Sequence, residues 1–176
     1  LAMIEQLQSN LTNKDVMFYF SEPNLQQKLQ FLGWAGEIKT LTFGKESQFQ
    51  GPGIIDYLML VDANVGVNKA NYFVKRELGY EVTILKEGQL VGEVTIIYTN
   101  DSPSEVWPGV TYKNYLRVYL PSDVVKITVK EQGQNKPDFK PLVKESLERQ
   151  EEFGKSGFGF LVVDPAKESK KIKITF

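Results

Sequence analysis

Residues 56–76 read DYLMLVDANVGVNKANYFVKR and combine three signals of a β fold. The apolar run from Tyr57 to Val61 has no polar alternation, which predicts a central strand covered on both faces. A polar turn follows it, and from Tyr72 apolar and polar residues alternate, as they do in a half-buried strand. The segment therefore predicts strand, turn and strand, and we expect the remaining strands to lie beside them.

The chain on either side of this segment differs in character. Residues 2–11 and the leucines of residues 25–32 have helical spacing, and the β-prone run VMFYF at residues 16–20 lies between them. The chain after residue 76 contains further short alternating runs separated by turn signals. About eight strands of this kind predict a mainly β protein. We expect an immunoglobulin-like or related antiparallel β-sandwich at residues 47–176, preceded by a short α/β appendage at residues 1–46.

Several local predictions concern the connections. Ile38–Phe43 is predicted as a strand and residues 44–53 as a loop, because the latter are rich in Gly and polar residues. Val125, Ile127 and Val129 alternate with polar residues and predict another strand. Residues 131–141 are polar, contain two prolines and predict a loop, whereas residues 142–153 fit either an exposed strand or a helix.

Composition excludes several classes of function. The 176 residues include 21 basic and 22 acidic ones, so the net charge of −1 gives no electrostatic footprint for general nucleic-acid binding. The chain has no Cys and no His, which excludes disulfides, thiol nucleophiles, imidazole bases and zinc sites built on these side chains. This fragment contains no run of eighteen apolar residues, so the sequence predicts no membrane span in it. We expect no catalytic residue and no cofactor in this chain, and leave open whether a longer parent protein is an enzyme.

The polar turn has some features of a cation-binding loop. Four residues stand at alternate positions, as the first ligands of a calcium loop do: Asp62, Asn64, Gly66 and Asn68. However, Val67 occupies the position that needs Gly, and Phe73 stands where a bidentate Glu should complete the ligand set. Asp62, Asn64 and Asn68 remain candidate metal ligands. The favoured interpretation is a turn whose Asx side chains bond to the local backbone.

Arg76 is unusual because strict alternation places it on the same face as Val74, which we expect to be buried. An unpaired buried guanidinium is costly, so Arg76 needs a carboxylate partner, or a bulge at Gly79 must turn it toward solvent. We predict a structural ion pair with Asp62, with Asp56 as the other candidate.

An aromatic group near the middle of the chain is the candidate ligand-binding set. It comprises Trp107, Tyr112, Tyr115, Arg117 and Tyr119. Alternation places Tyr115, Arg117 and Tyr119 on one face of a strand, where aromatic rings and a guanidinium can stack on sugar rings or anchor a partner protein. The alternative is that these side chains pack between sheets, as aromatic residues in strands usually do.

Several segments together resemble a known family. They are FYFSEPNLQQKLQFLGWAG, DYLMLVDANVGVNKANYFVKR, TIIYTN, WPGVTYKNYLRVYLP and FGFLVVDP. The combination is similar to the C-terminal part of the bacterial domain-of-unknown-function family 4012, over nearly the whole chain. The resemblance implies an envelope protein anchored by an N-terminal membrane segment, with an upstream region similar to the LytR-CpsA-Psr group.

The resemblance implies a location and leaves the chemistry open, because no arrangement of catalytic arginines of the LytR-CpsA-Psr group is identifiable in this chain. The resulting expectation is a non-catalytic module on the extracellular face of the envelope, acting as a scaffold or interaction surface. Its expected partners are cell-wall glycan or another envelope protein. The alternatives are a carbohydrate-binding module and an accessory domain of an envelope polymer-transferring enzyme.

Overall fold

The computed structural model describes residues 2–36, 55–86, 88–103, 107 and 109–176. The chain forms two compact units, Leu1–Pro52 and Gly53–Phe176. The boundary predicted between residues 46 and 47 lies outside the described residues, as do the strand predicted at Ile38–Phe43 and the loop predicted at residues 44–53.

The first unit contains two helices among its described residues, α1 at Ala2–Thr12 and α2 at Pro23–Leu32. Helix α2 begins where the Glu22 carboxylate accepts hydrogen bonds from the backbone N–H groups of Asn24 and Leu25, at 3.1 and 2.7 Å. The bond from Leu25 is the main cause of a lowered pKa at Glu22. The helix ends at Gly33, whose φ of 72° places it in the left-handed region that favours glycine.

The VMFYF run of the first unit is not a strand. Only one parallel bridge forms there, between Phe18 and Ala35. Phe18, Tyr19 and Phe20 are exposed by 40%, 79% and 45%, so the β propensity of this run finds no neighbouring sheet within the described residues.

The second unit is mainly β. Its strands are β1 (Met59–Asn64), β2 (Val74–Ile84), β3 (Leu90–Asn100), β4 (Tyr112–Pro121), β5 (Thr128–Gly133), β6 (Lys140–Pro141), β7 (Glu148–Glu152), β8 (Lys155–Asp164) and β9 (Ser169–Thr175). Two short 3-10 helices lie between strands, at Ala70–Tyr72 and Lys144–Ser146.

The strands form two antiparallel sheets in a sandwich-like arrangement. One sheet has the order β1-β4-β8-β7 and the other has the order β2-β3-β9-β5-β6. The core lies between them and draws on the inner faces of the central strands of both. Its fully buried members include Val94, Ile96, Leu116, Phe160 and Ile172. Period-two alternation in β3, β4, β8 and β9 therefore marks the core faces.

The apolar run at residues 57–61 is not a central strand. Among the described residues, strand β1 lies at the edge of its sheet and pairs only with β4, in a register that runs from Met59↔Tyr119 to Asn64↔Asn114. The inner side chain of Leu60 packs against the core, while Val61 on the other face is 38% exposed. The run lacks alternation because both faces are apolar, although only one of them is covered.

Strand β2 is also an edge strand, and this corrects the burial expected for one of its faces. Val74 and Tyr80 pack against the core, but Leu78, Val82 and Ile84 on the same face are 50%, 44% and 74% exposed. Alternation is the same on an edge strand and on a central one, so the sequence pattern cannot report how far the opposite sheet extends.

Three connections also differ from expectation. Val125 is 97% exposed, and the strand predicted around it begins only at Thr128. The loop predicted at residues 131–141 contains the end of β5 and all of β6. Residues 142–153 include a 3-10 turn and the short strand β7, so the strand alternative applies to their second half.

Candidate functional site

Four strands each contribute one polar side chain to a cluster that joins the two sheets. The inter-sheet cluster consists of Asp62 on β1, Arg76 on β2, Tyr98 on β3 and Asn114 on β4. Asp62 and Asn114 belong to the four-stranded sheet, whereas Arg76 and Tyr98 belong to the five-stranded one. The carboxylate of Asp62 is the shared acceptor at its centre.

Asp62 accepts three side-chain donors. Its Oδ1 accepts hydrogen bonds from Tyr98 Oη and from Asn114 Nδ2, both at 2.5 Å, and its Oδ2 forms an ion pair with Arg76 Nη1. The Oδ1 atom of Asn114 accepts the backbone N–H of Ala63 at 2.8 Å, which fixes the amide orientation. Because both carboxylate oxygens are bonded, the cluster is built as a joint between the sheets rather than as a site for a substrate.

The sequence predicted the contact between Arg76 and Asp62 but missed Tyr98 and Asn114. Both lie at inward positions of their strands, so alternation marked them as inward polar residues but gave no indication of their partner. The side chain of Arg76 is 40% exposed rather than enclosed in the core, because β2 is an edge strand. Gly79 does not form a bulge, since the register with β3 is continuous from Val74↔Asn100 to Ile84↔Leu90.

The tyrosines around the cluster keep their protons. Burial, followed by the hydrogen bond to Asp62, raises the pKa of Tyr98 far above its ordinary value. Burial and the bond from its hydroxyl to Asp56 similarly raise the pKa of Tyr80, so Asp56 serves Tyr80 rather than Arg76. Burial raises the pKa of Tyr112 to about 12. At neutral pH these hydroxyls are therefore donors and not bases.

The Asx turn after β1 is closed by its own side chains. Asn64 Nδ2 donates to the backbone oxygen of Asn68 at 3.0 Å and to Asn71 Oδ1 at 3.0 Å, while Asn64 Oδ1 accepts from Gly66 N at 3.0 Å. Asn68 Oδ1 accepts from the backbone N–H of residue 70 at 2.9 Å.

These bonds use the oxygens that a cation in this turn would need. Asp62, the third candidate ligand, is directed into the inter-sheet cluster instead, so the structure does not bring Asp62, Asn64 and Asn68 together around one point. Within the described ranges, no group of three or more acidic side chains is arranged to hold a metal ion.

The five candidate ligand-binding residues do not form a single site. Trp107 is 70% exposed in the loop after β3, whereas Tyr112 is buried in the core with its ring centroid 6.1 Å from that of Tyr98. Tyr115, Arg117 and Tyr119 remain together on the outer face of β4, opposite the inward side chains of the same strand.

This row is fixed by the neighbouring strands. Tyr119 Oη donates to Glu152 Oε2 at 2.8 Å, and the Tyr115 hydroxyl bonds to Glu148, both on β7. The rings of Tyr119 and Tyr115 pass over β8 at Gly157 and Gly159, respectively. A Cβ at Gly157 would lie 3.2 Å from Tyr119 Cε1, and one at Gly159 would collide with the Tyr115 hydroxyl.

The electrostatics of the row follow from these contacts. The bond to Glu148 raises the pKa of Tyr115, and burial raises the pKa of Tyr119. The Arg117 guanidinium carbon lies 5.6 Å from the centroid of the Tyr115 ring, a cation–π distance. Within the described part of the chain, Arg117 forms no ion pair with a carboxylate.

Exposed aliphatic side chains surround Arg117 and Tyr115. Val61 pairs in register with Arg117, and Leu161 pairs with Tyr115 on the other side of β4. Val61, Leu161 and Val163 are exposed by 38%, 48% and 37%, respectively. We define the outer face as Val61, Tyr115, Arg117, Leu161 and Val163. It is mainly apolar with Arg117 at its centre, and exposed Lys113, which pairs in register with Val163, lies at its border.

Asp164, which the sequence interpretation did not select, is the other unusual polar residue. It is fully buried at the end of β8, and neither of its carboxylate oxygens has a hydrogen-bond partner among the described residues. Burial raises its pKa to about 7. The buried hydroxyl of Ser102 also lacks a partner there. Alternation did carry a signal, because Phe160, Val162 and Asp164 occupy successive inward positions.

A cleft of about 630 Å³ opens at one end of the second unit, between the hairpin of β2 and β3 and the connection from β4 to β5. Its walls include Leu90, Val124, Val125 and Phe176, and its charged members are Asp56, Asp123 and Lys126. The volume suits a small ligand. Its charged residues give no arrangement specific to one chemical class.

Comparisons with protein-family models, with curated proteins and with solved structures found no match to this chain. Neither of the described helices, α1 nor α2, has the length and apolar composition required to cross a lipid bilayer. The assignment of function therefore rests on the geometry of the chain and on its sequence.

Proposed function

We propose that this chain is a non-catalytic interaction module whose outer face binds another protein. The observation that carries the proposal is the exposed aliphatic group around Arg117 and Tyr115 on the four-stranded sheet. Exposed apolar patches of this kind are typical of protein interfaces, and Tyr and Arg are enriched at their centres. Glu148 and Glu152 on β7 hold Tyr115 and Tyr119 in place before any partner binds.

The partner that fits this surface has an apolar patch with a carboxylate near its centre. Arg117 has no carboxylate partner within the described chain, so an acidic group on the bound protein would complete its interactions. Since the Tyr115 and Tyr119 rings are held by Glu148 and Glu152, little side-chain entropy is lost when the surface is covered.

A catalytic role has less support. The chain contains no Cys and no His, and the carboxylate best placed for chemistry, Asp62, has both oxygens bonded within the inter-sheet cluster. The carbohydrate-binding alternative also has less support, because it requires several exposed rings. Tyr112 and Tyr119 are 4% and 5% exposed, so Tyr115 is the accessible tyrosine of the candidate set on β4. The exposed ring of Trp107 lies in the loop after β3 and not on that strand.

The location and the finer fold class belong to the same proposal. The resemblance to the domain-of-unknown-function family 4012 supports a place on the extracellular side of a bacterial envelope, attached to an anchored parent protein. Two antiparallel sheets that enclose one core support a sandwich related to the immunoglobulin-like class. The same resemblance would make the chain a scaffold beside the polymer-transferring region of its parent.

Co-sedimentation with envelope material from a bacterium that carries the gene tests this proposal. The wild-type chain is mixed with intact envelope, with protease-treated envelope and with envelope whose glycan has been digested. We expect binding that protease treatment removes and glycan digestion leaves unchanged. The double variant Arg117→Glu/Leu161→Asp should bind about tenfold more weakly or less, because it places charge at the centre of the outer face. Val125→Asp, an exposed apolar site outside that face, is the matched control.

Two results would overturn the proposal. Binding that survives protease and disappears with the glycan would replace it by the carbohydrate-binding alternative. Equal binding by the wild type and the outer-face variant would exclude the outer face as the contact surface, whatever the partner.

A further inference from the structure

The two sheets end in four edge strands within the described residues, and these edges are not equally protected. Strand β6 has two residues and contains Pro141, and β7 has the polar sequence ERQEE. Strand β1 has six residues. Strand β2 has eleven, contains no proline and keeps an unbroken register with β3. Short length, proline, charge and bulges are the usual ways to protect a sheet edge, and of these β2 has only charge, at Lys75, Arg76, Glu77 and Glu81.

The hydrogen bonds of the sheet show which backbone groups of β2 are free. Asp101 N donates to Phe73 O at 3.0 Å and Leu85 N donates to Gln89 O at 2.8 Å, so odd-numbered residues of β2 face β3. The N–H and C=O groups of its even-numbered residues, from Val74 to Ile84, therefore point away from β3. Among the described residues, no other segment forms a backbone hydrogen bond to these positions.

The side chains at these even-numbered positions include an exposed apolar row. Leu78, Val82 and Ile84 are 50%, 44% and 74% exposed. Exposed apolar side chains beside free backbone groups are the features of a strand that pairs with another strand.

We infer that two copies of this chain associate through their β2 strands, antiparallel, with a two-fold axis at Leu78. In this register Leu78 faces Leu78 of the second copy and Val74 faces Val82. Leu78 and Val82 are then each opposite an apolar side chain. Lys75 faces Glu81 of the second copy, and the two-fold axis repeats this opposite-charge pair.

Charge selects this register over its neighbours. A shift of two residues in one direction places Glu77 opposite Glu77 of the second copy, and a shift in the other direction places Glu77 opposite Glu81. Both put like charges directly across the pair, which is unfavourable. A shift by one residue would place the free backbone groups of one copy opposite backbone groups of the other copy that already bond to β3. The second copy therefore fits better than an arbitrary strand, since the sequence of β2 is complementary to itself.

Sedimentation equilibrium of the 176-residue chain tests the association directly. We expect a reversible dimer that Leu78→Pro abolishes. Proline at this position removes an outward N–H and leaves the bonds to β3 intact, so the variant retains the circular-dichroism spectrum of the wild type. Arg117→Glu, on the outer face of the other sheet, should dimerise like the wild type, which separates this inference from the proposed function.

Charge reversal tests the register without proline. Lys75→Glu and Glu81→Lys each place like charges across the pair and should weaken dimerisation by about tenfold, whereas the double variant restores it. The absence of native cysteine allows a second test. Oxidation of Leu78→Cys should give a covalent dimer, because paired Cα atoms about 5.5 Å apart suit a disulfide, whereas Val82→Cys should not.

A monomer at the highest soluble concentration would overturn the inference. So would a dimer that Leu78→Pro and both charge reversals leave unchanged, because its interface would then lie elsewhere. If the proline variant fails to fold, the charge-reversal series and the cysteine pair decide the question by themselves.

Discussion

Asp62 and Asp164 are both inward-facing acidic residues of the same sheet, but their surroundings are opposite. Asp62, on edge strand β1, receives donors from three other strands while its side chain stays 23% exposed. Asp164, on central strand β8, is fully buried, and neither of its oxygens has a partner among the described residues. Position in the sheet therefore decides whether an inward carboxylate stabilises the fold or weakens it.

The difference follows from which strands meet at each residue. At Asp62 the two sheets bring a guanidinium, a hydroxyl and an amide to one carboxylate, so its charge is used to join them. Near Asp164, the side-chain amide of Asn100 donates a hydrogen bond to the backbone oxygen of the aspartate at 3.0 Å. It does not bond to the Asp164 carboxylate. The chain tolerates this residue by holding its carboxyl group neutral, since burial raises its pKa to about 7.

The largest expected effect is the pH dependence that Asp164 imposes. The unfolded chain loses this proton near pH 4 and the folded chain near pH 7, so the folded state holds more protons between these values. The free energy of unfolding should therefore fall as pH rises from about 4 to 7. Asp164 alone accounts for a loss of about 4 kcal/mol, which is complete above the folded pKa.

Asp164→Asn isolates this contribution. Urea unfolding of the wild type and of the variant, from pH 4 to pH 8, gives the difference between the two curves, in which the other titrating groups cancel. We expect this difference to change by about 4 kcal/mol in favour of the variant as pH rises. Parallel curves would show that Asp164 is ionised in the folded protein and has a partner.

The second effect concerns the other carboxylate and has the opposite sign. Asp62→Ala leaves Arg76, Tyr98 and Asn114 without their shared acceptor, so the free energy of unfolding at pH 7 should fall by about 3 kcal/mol. Asp56→Ala removes one acceptor, that of Tyr80, and should cost about 1 kcal/mol. Equal losses at the two positions would mean that the three donors of the cluster find other partners.

The sequence predicted the mainly β class and the core faces of β3, β4 and β9, because alternation reports which side of a strand is apolar. It did not predict that β1 and β2 are edge strands. Edge position depends on strand order, which is set by contacts between residues far apart in the chain. The exposure of Arg76 and of Leu78 follows from strand order and not from their neighbours in sequence.

The candidate sites show the same limit. Opposite charge and proximity in the sequence were enough to propose that Arg76 meets Asp62. Tyr98 and Asn114 complete the cluster from strands 36 and 52 residues away from Asp62, and no local pattern connects them to it. Tyr112 was grouped with Tyr115 because the two are close in sequence, but they lie on opposite faces of β4.

The smallest expected effect compares a bonded buried hydroxyl with an unbonded one. Tyr98→Phe removes a donor to Asp62 and should lower the free energy of unfolding by about 1 kcal/mol. Ser102→Ala removes a hydroxyl without a partner among the described residues, so it should change stability by less than about 0.5 kcal/mol or raise it. Urea unfolding at pH 7 measures both variants against the wild type. A larger loss for Ser102→Ala than for Tyr98→Phe would reveal a partner for the Ser102 hydroxyl, and the end of the sandwich near Asp164 would then be a bonded polar site like the one at Asp62.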